Sequence, residues 1–344
     1  MRGYVTIITR DVSAMNTLTR HGGRLATAMA LYPDAPRPWI DLSTGVNPKS
    51  YPAPRASRIA RTRLPEPQDL AALEAAAAQA FGVAQERVCA TPGLEIAIQH
   101  LPGLLGAAAV TIAEPTYASH ACAWRRAGAA VTSSALKVLD KATHSVVLVN
   151  PNNPDGQSLA APQVLDLARR LDEHDSWLVV DEAFVETASE LSVAAYAGGR
   201  LVVLRSFGKF YGLAGLRLGF VVAEPAVIIA LRERLGDWPI SVDAMAAGAA
   251  AYRDRKWAEE TRLRLNRDAQ RMDSLLFRTG FHLVGGTSLF RLAQAPDAPA
   301  RFERLAQAGI LVRPFDYQPT WLRFGMPPAG AWARVEAALE NSAP

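Results

Sequence analysis

Ser206, Lys209 and Arg217 stand at a spacing that suits a lysine-anchored, phosphate-bearing cofactor. An apolar run, Leu201 to Leu204, leads into the serine. The lysine follows three residues later, and the arginine eight residues after that, inside Gly-Leu-Arg-Leu-Gly. A lysine amine condenses with an aldehyde to a Schiff base, while a hydroxyl and a guanidinium pair with a dianionic phosphate. Most lysines are solvated surface charges, but this chain has only Lys49, Lys137, Lys141, Lys209 and Lys256. Lys209 alone follows a buried-strand pattern and sits among glycines and aromatics, where desolvation favours the neutral amine. A P-loop reading of Gly208-Lys209 fails, because Phe210 stands where Ser or Thr is needed and Val203 where the leading Gly is needed.

The elements around this segment are legible as alternating strands and helices. A strand, Arg87 to Ala90, runs through Thr91-Pro92-Gly93 into a helix, Leu94 to Leu101, that Pro102-Gly103 is expected to stop. A Gly turn feeding a helix N-terminus offers unpaired N–H groups and a positive dipole end to an anion. Strand Ala108 to Ala113 ends at Glu114-Pro115-Thr116-Tyr117, and Tyr117 is placed to stack on a planar ring. Residues 119–128 read as a helix. Strand Ser145 to Val149 is apolar throughout, as in a sheet buried on both faces, and ends in Asn150-Pro151-Asn152-Asn153-Pro154-Asp155-Gly156. Helix Pro162 to Glu173 and strand Ser176 to Val180 follow. Asp181 closes that strand, where a carboxylate is costly unless paired. The pattern predicts an α/β fold with a mainly parallel sheet. Gly93, Tyr117, Asn153, Asp181 and Ser206 all fall just beyond strand carboxyl ends, the edge where such sheets bind ligands.

Upstream, Pro65-Glu66-Pro67 starts a helix, Gln68 to Phe81, closed by Gly82. Downstream, helix Pro225 to Leu235 precedes a long helical region, Ser241 to Thr279, and a smaller α/β domain of short strands and helices. We divide the chain into an N-terminal arm with part of the small domain (residues 1–50), a large cofactor-binding domain (51–236), and a bridging helix with the small C-terminal domain (237–344).

A chain of 344 residues with 49% hydrophobic and 20% charged residues fits a soluble globular enzyme, not a disordered one. A net charge of +4 without a basic run gives no nucleic-acid surface. No apolar stretch approaches a membrane span of roughly 20 residues. Cys89 and Cys122 have no metal spacing, the six histidines form no His-x-x-x-His pair, and a reducing cytosol is expected. No metal is expected. Residues 1–14 read as an extension ahead of Met15 or as an artefact of start-site choice.

From His21 to Leu339 the chain resembles the fold-type I pyridoxal 5'-phosphate (PLP) enzymes of the aspartate-aminotransferase superfamily. The resemblance makes Lys209 the Schiff-base lysine, with Ser206, Arg217 and the Gly93-Leu94-Glu95 turn at the cofactor phosphate. It makes Asp181 the pyridinium partner, Asn153 the partner of the ring hydroxyl, Tyr117 the stacking aromatic, and Arg323 of Trp-Leu-Arg-Phe the ligand of the substrate carboxylate. His21-Gly22-Gly23 and Ile40-Asp41-Leu42-Ser43-Thr44-Gly45-Val46-Asn47-Pro48 look most like the threonine-phosphate decarboxylases of cobalamin biosynthesis. This implies that His21 and Asn47 lie near a small phosphorylated amino-acid substrate, that L-threonine O-3-phosphate is decarboxylated, and that the enzyme is a homodimer. Histidinol-phosphate aminotransferases are close relatives. The same residues serve either reaction, because the bond set perpendicular to the ring selects the outcome.

Four positions depart from the pattern. Leu64 replaces a Tyr that reaches a neighbouring subunit's cofactor phosphate, and Phe184 replaces a Tyr that supports the ring hydroxyl. Leu94 and Glu95 replace small hydroxyl residues, leaving backbone N–H groups for the phosphate. Asp155 replaces a Thr, with tolerance expected.

Overall fold

A computed structural model describes residues 18–19, 21–136, 139, 142 and 144–342. The expectation for residues 1–14 lies outside the described residues. Two compact units emerge. One comprises Val46–Asn266 with Gly286–Leu289; the other comprises the described residues up to Gly45, Arg267–Gly285, and the described residues from Phe290 on.

The larger unit is built on a seven-stranded sheet. Its strands are β2 (Val88–Thr91), β3 (Ala109–Ala113), β4 (Ala130–Ser134), β5 (Ser145–Val149), β6 (Leu178–Asp181), β7 (Leu201–Ser206) and β8 (Gly219–Val222), β1 belonging to the smaller unit. The order is β2-β8-β7-β6-β5-β3-β4. Strands β4, β3, β5, β6 and β7 pair in parallel, and β8 pairs antiparallel with both β7 and β2. Strands β5 and β6 are buried at every position. On one face of this sheet Val110, Val147, Val179, Val202 and Val221 pack with Leu101 and Trp124.

Helices follow the strands and cover the sheet. Helix α2 (Pro67–Phe81) has Pro at its first position and the left-handed Gly82 at its end, as its sequence predicts. Helix α3 (Leu94–Leu105) runs past Pro102 and stops at Gly106, which adopts φ +65°. The left-handed glycine, not the proline, ends this helix. The edge strand β4 has no counterpart in the sequence reading, because Ala-Val-Thr-Ser-Ser is short and mostly exposed. Helices α4 (Ser119–Arg126), α5 (Ala161–Asp172), α6 (Phe207–Phe210) and α7 (Pro225–Leu235) complete the first part. The region expected to be helical from Ser241 to Thr279 divides at Asp254 into α8 (Val242–Arg253) and α9 (Arg255–Arg278).

In the smaller unit, β1 (Ile40–Asp41) pairs in parallel with β11 (Ile310–Leu311). A second sheet has the order β12-β13-β10-β9, with β9 at His282–Thr287, β10 at Phe290–Gln294, β12 at Arg313–Pro314 and β13 at Trp321–Gly325. Helices Ala298–Gln307 and Trp332–Glu340 close its core. Among the described residues no helix is long and apolar enough to cross a membrane.

Candidate active site

Strand register brings the loops of the larger unit to one edge. Thr91 of β2 and Ser206 of β7 both pair with Gly219 of β8, so three chain segments leave the sheet at the same level. Glycine is required here. A Cβ on Gly219 would lie 2.8 Å from the Leu94 nitrogen, and one on Gly93, at φ +83°, would lie 2.5 Å from Nη2 of Arg217. The Arg217 guanidinium therefore rests on the turn that opens α3. No side chain caps the N-terminus of α3 or of α6, whose N-cap is Ser206. Two uncapped helix starts, a serine and an arginine are the groups that a cup for a dianion needs.

Lys209 sits in the four-residue helix α6, immediately beyond β7. Its Nζ lies 5.9 Å from the ring centre of Phe184, so a buried phenyl ring occupies the position read as a missing Tyr. The turn is backed by aromatic packing. Tyr211 stacks on Phe207 at 4.7 Å between ring centres and on Trp257 at 5.7 Å.

Asp181 ends β6 with its side chain 4% exposed. Oδ1 accepts the Ala183 N–H at 2.9 Å, and Oδ2 lies 2.8 Å from Nε2 of His120, which is equally buried. This histidine was missed by the sequence reading. The usable signal was its place on the inward face of α4, where His120, Ala121, Ala123 and Trp124 are all buried. Tyr117 stands beside it, its ring edge-on to His120 at 6.3 Å, and donates its hydroxyl to Glu95 Oε2 at 3.0 Å. Burial above all, with the Glu95 carboxylate adding to it, raises the phenol above its ordinary pKa. Glu95 thus places its side chain on Tyr117, leaving its backbone to the helix start.

Asn153 is half-buried in the loop after β5. Its neighbours fix that loop. Asn152 accepts the Thr116 hydroxyl at 2.6 Å and donates to Pro115 O and to Asp155 Oδ1. Asp155 in turn accepts from the backbone and side chain of Gln157. The acid in place of a Thr is thus a loop staple, and Asn152 ties the Asn153 loop to the one carrying Tyr117. On the reverse face of the same strand ends, the buried Arg205 bonds Glu182, Ser192 and Glu186, so the charges beneath the site are internally paired.

Asn47 was expected beside the substrate. Its side chain is buried and bonded to Phe210 O, the Lys49 N–H and Arg264.

His21 and Arg323 belong to the smaller unit, where Ser43 meets both the Gly22-Gly23 turn after the histidine and the arginine. Gly22 approaches Ser43 so closely that a Cβ would lie 2.3 Å from its carbonyl oxygen, and Gly23 N–H donates to Ser43 Oγ at 2.8 Å. Nη2 of Arg323 donates to Ser43 O at 2.9 Å. Arg323 is 4% exposed and lies over the Phe290 ring at 5.0 Å. Burial, reinforced by the like charge of Arg313, pushes its guanidinium down to about 9. Arg313 was not singled out in the sequence, yet it is the direct cross-strand partner of Arg323. Two arginines thus stand opposite each other on neighbouring strands, one of them buried.

Folding and site geometry together define a cofactor-dependent enzyme of the α/β class. A family model described as aminotransferase class I and II matches residues 38–341, and the chain belongs to that family. Threonine-phosphate decarboxylase from Pseudomonas aeruginosa is 41% identical over 327 residues, covering 94% of this chain and 97% of that protein. Threonine-phosphate decarboxylase from Sinorhizobium sp is 41% identical over 318 residues, covering 91% and 95%. A solved histidinol-phosphate aminotransferase from Sinorhizobium meliloti, in complex with pyridoxal-5'-phosphate, superposes with a TM-score of 0.77 at 20% identity, covering 98% of this chain and 99% of that one. That likeness establishes the fold alone. PLP is the family's cofactor, and the residues present fit it. The Gly93–Arg217 cradle has no room for a Cβ, the serine and helix starts suit its phosphate, and Asp181 is a buried carboxylate with a lysine on the next strand's turn.

Proposed function

We propose that this protein is a PLP-dependent carboxy-lyase that converts L-threonine O-3-phosphate to (R)-1-amino-2-propanol O-2-phosphate in cobalamin biosynthesis. The observation that carries the reading is identity of 41% to two threonine-phosphate decarboxylases along nearly the whole chain, with Lys209, Asp181 and Arg217 all in place. Bound PLP supplies an electron sink conjugated to the substrate amine.

The chain's own residues do the rest. Ser206, Arg217 and the N–H groups of Leu94 and Glu95 hold the cofactor phosphate. Asp181, held in place by its contact with His120 Nε2, would face the ring nitrogen and hold a proton there. Tyr117 would lie against the cofactor ring, and Asn153 would bond its hydroxyl. The Lys209 amine would hold the cofactor's aldehyde carbon and is the group placed to return a proton to the substrate Cα. The substrate bears two anions, a carboxylate and a phosphate. Arg323 and Arg313 are assigned to these groups, with His21 beside them. A guanidinium depressed by burial and a like charge gains from each anion it pairs with. How the arginines orient the substrate carboxylate would decide between decarboxylation and transamination. We read the protein as a cytosolic homodimer.

The test is to incubate PLP-loaded protein with L-threonine O-3-phosphate without any keto acid. Release of carbon dioxide and aminopropanol phosphate is the expected result. Conversion of the cofactor to its pyridoxamine form, without carbon dioxide, would make the protein an aminotransferase instead.

A further inference from the structure

The turn that carries Lys209 is held by residues remote from the reacting atoms. Helix α6 has four residues, too few to satisfy its own carbonyls. Gly212 N–H reaches Lys209 O at 3.3 Å, and the chain segment 47–51 supplies the remaining donors. Asn47 N–H donates to Lys209 O at 2.9 Å, Asn47 Nδ2 donates to Phe210 O at 2.8 Å, and Tyr51 N–H donates to Tyr211 O at 2.9 Å. The two segments touch closely enough that a Cβ on Gly212 would lie 2.6 Å from Asn47 O. Asn47 is 2% exposed, and its remaining atom, Oδ1, accepts from Lys49 N–H at 3.1 Å and from Arg264 Nη2 at 2.7 Å. Arg262, one half-turn earlier on α9, donates Nε to Glu186 O at 2.7 Å and lies over the Phe210 ring at 5.5 Å. Helix α9 therefore reaches the Lys209 turn twice, once through a ring and once through an amide.

We infer that Asn47 and Arg264 are positioning residues for Lys209, Arg264 acting by fixing the Asn47 amide that bonds the carbonyl next to the lysine. A charge-assisted bond orients an amide more firmly than a neutral one. A buried amide that serves a donor and an acceptor at once cannot rotate without losing both. This inference rests on the reading of Lys209 as the lysine that bears the cofactor.

The experiment compares PLP-loaded wild type, Arg264→Met, Arg264→Lys and Lys209→Ala. Turnover of L-threonine O-3-phosphate, the absorbance band of the cofactor–lysine adduct and thermal stability are measured on each. Arg264→Met is expected to keep the band, the KM to within about twofold and nearly the wild-type Tm, while kcat falls about tenfold. Arg264→Lys, which restores one charged donor, is expected to recover most of the loss. Wild-type kcat in Arg264→Met would overturn the inference. So would equal loss in both arginine variants together with a lower Tm, or an Arg264→Met protein that does not fold, since each makes the contact a packing one. A band that survives in Lys209→Ala would instead bring down the reading of Lys209 itself.

Discussion

The carboxylate of Asp181 is almost without water, and its orientation is set by two contacts, one backbone N–H and one imidazole. A hydrogen bond to a charged group is worth about 1.5–3 kcal/mol, and removing the donor leaves the acceptor buried and unsatisfied. His120→Leu is therefore expected to lower kcat by roughly 10- to 100-fold. PLP affinity should fall with it, because the carboxylate meant for the ring nitrogen then loses the imidazole that orients it. Steady-state kinetics and a cofactor titration of the variant check this; unchanged values for both would show that His120 only packs. At this scale the sequence was informative about groups that end apolar runs. Asp181 and Ser206 are polar residues at the close of buried strands, and the spacing of Lys209 and Arg217 is specific. His120, Asn152 and Arg313 act through the fold: a single histidine on a helix, one of three nearby asparagines, and an arginine made significant only by its cross-strand neighbour.

At the scale of elements, the site depends on β8 running against its neighbours, which aligns Thr91, Gly219 and Ser206. Alternation of strands and helices made a parallel sheet readable, but no local feature of Gly-Phe-Val-Val shows its direction. The limits of elements were less legible for related reasons. A left-handed glycine outlasted a proline at the end of α3, and a polar edge strand carries little apolar signal. The element beneath the cup is α2, whose Glu74 accepts the Ala90 N–H at 2.9 Å and pairs with Arg232 at 2.7 Å. Burial, outweighing these two partners, raises the Glu74 carboxyl above its ordinary value of 4.5. A raised carboxyl means that the folded protein binds more protons than the unfolded one in this window. Stability from this group is thus full below about pH 4.5 and is lost as pH rises through the folded value. Glu74→Gln removes that loss. The Tm of the variant, measured by calorimetry from pH 4 to 7, is expected to gain on wild type as pH rises. A constant difference across the range would mean that Glu74 does not titrate with folding.

Over the whole molecule, the two cysteines report on how tightly the larger unit is closed. Cys89 is buried in β2, and burial, with the Glu74 charge adding to it, pushes its thiol up to about 12. Cys122 is exposed on α4. Thiolates react and thiols do not. A thiol reagent at pH 8 is therefore expected to label one cysteine per native chain, Cys122, and both in denaturant; rapid labelling of Cys89 in the native protein would show that the β2 edge opens readily. The order of the sheet carries a consequence for biosynthesis. Strand β2 lies at the sheet's edge, beside β8. A ribosome that has just released β2 must translate α3 through β7 before that ladder can form. Throughout this interval the Gly93 turn has no Arg217 resting on it and no Lys209 alongside. The cofactor pocket is thus among the last parts of the nascent larger unit to exist. PLP can secure the finished sheet, but it cannot nucleate it.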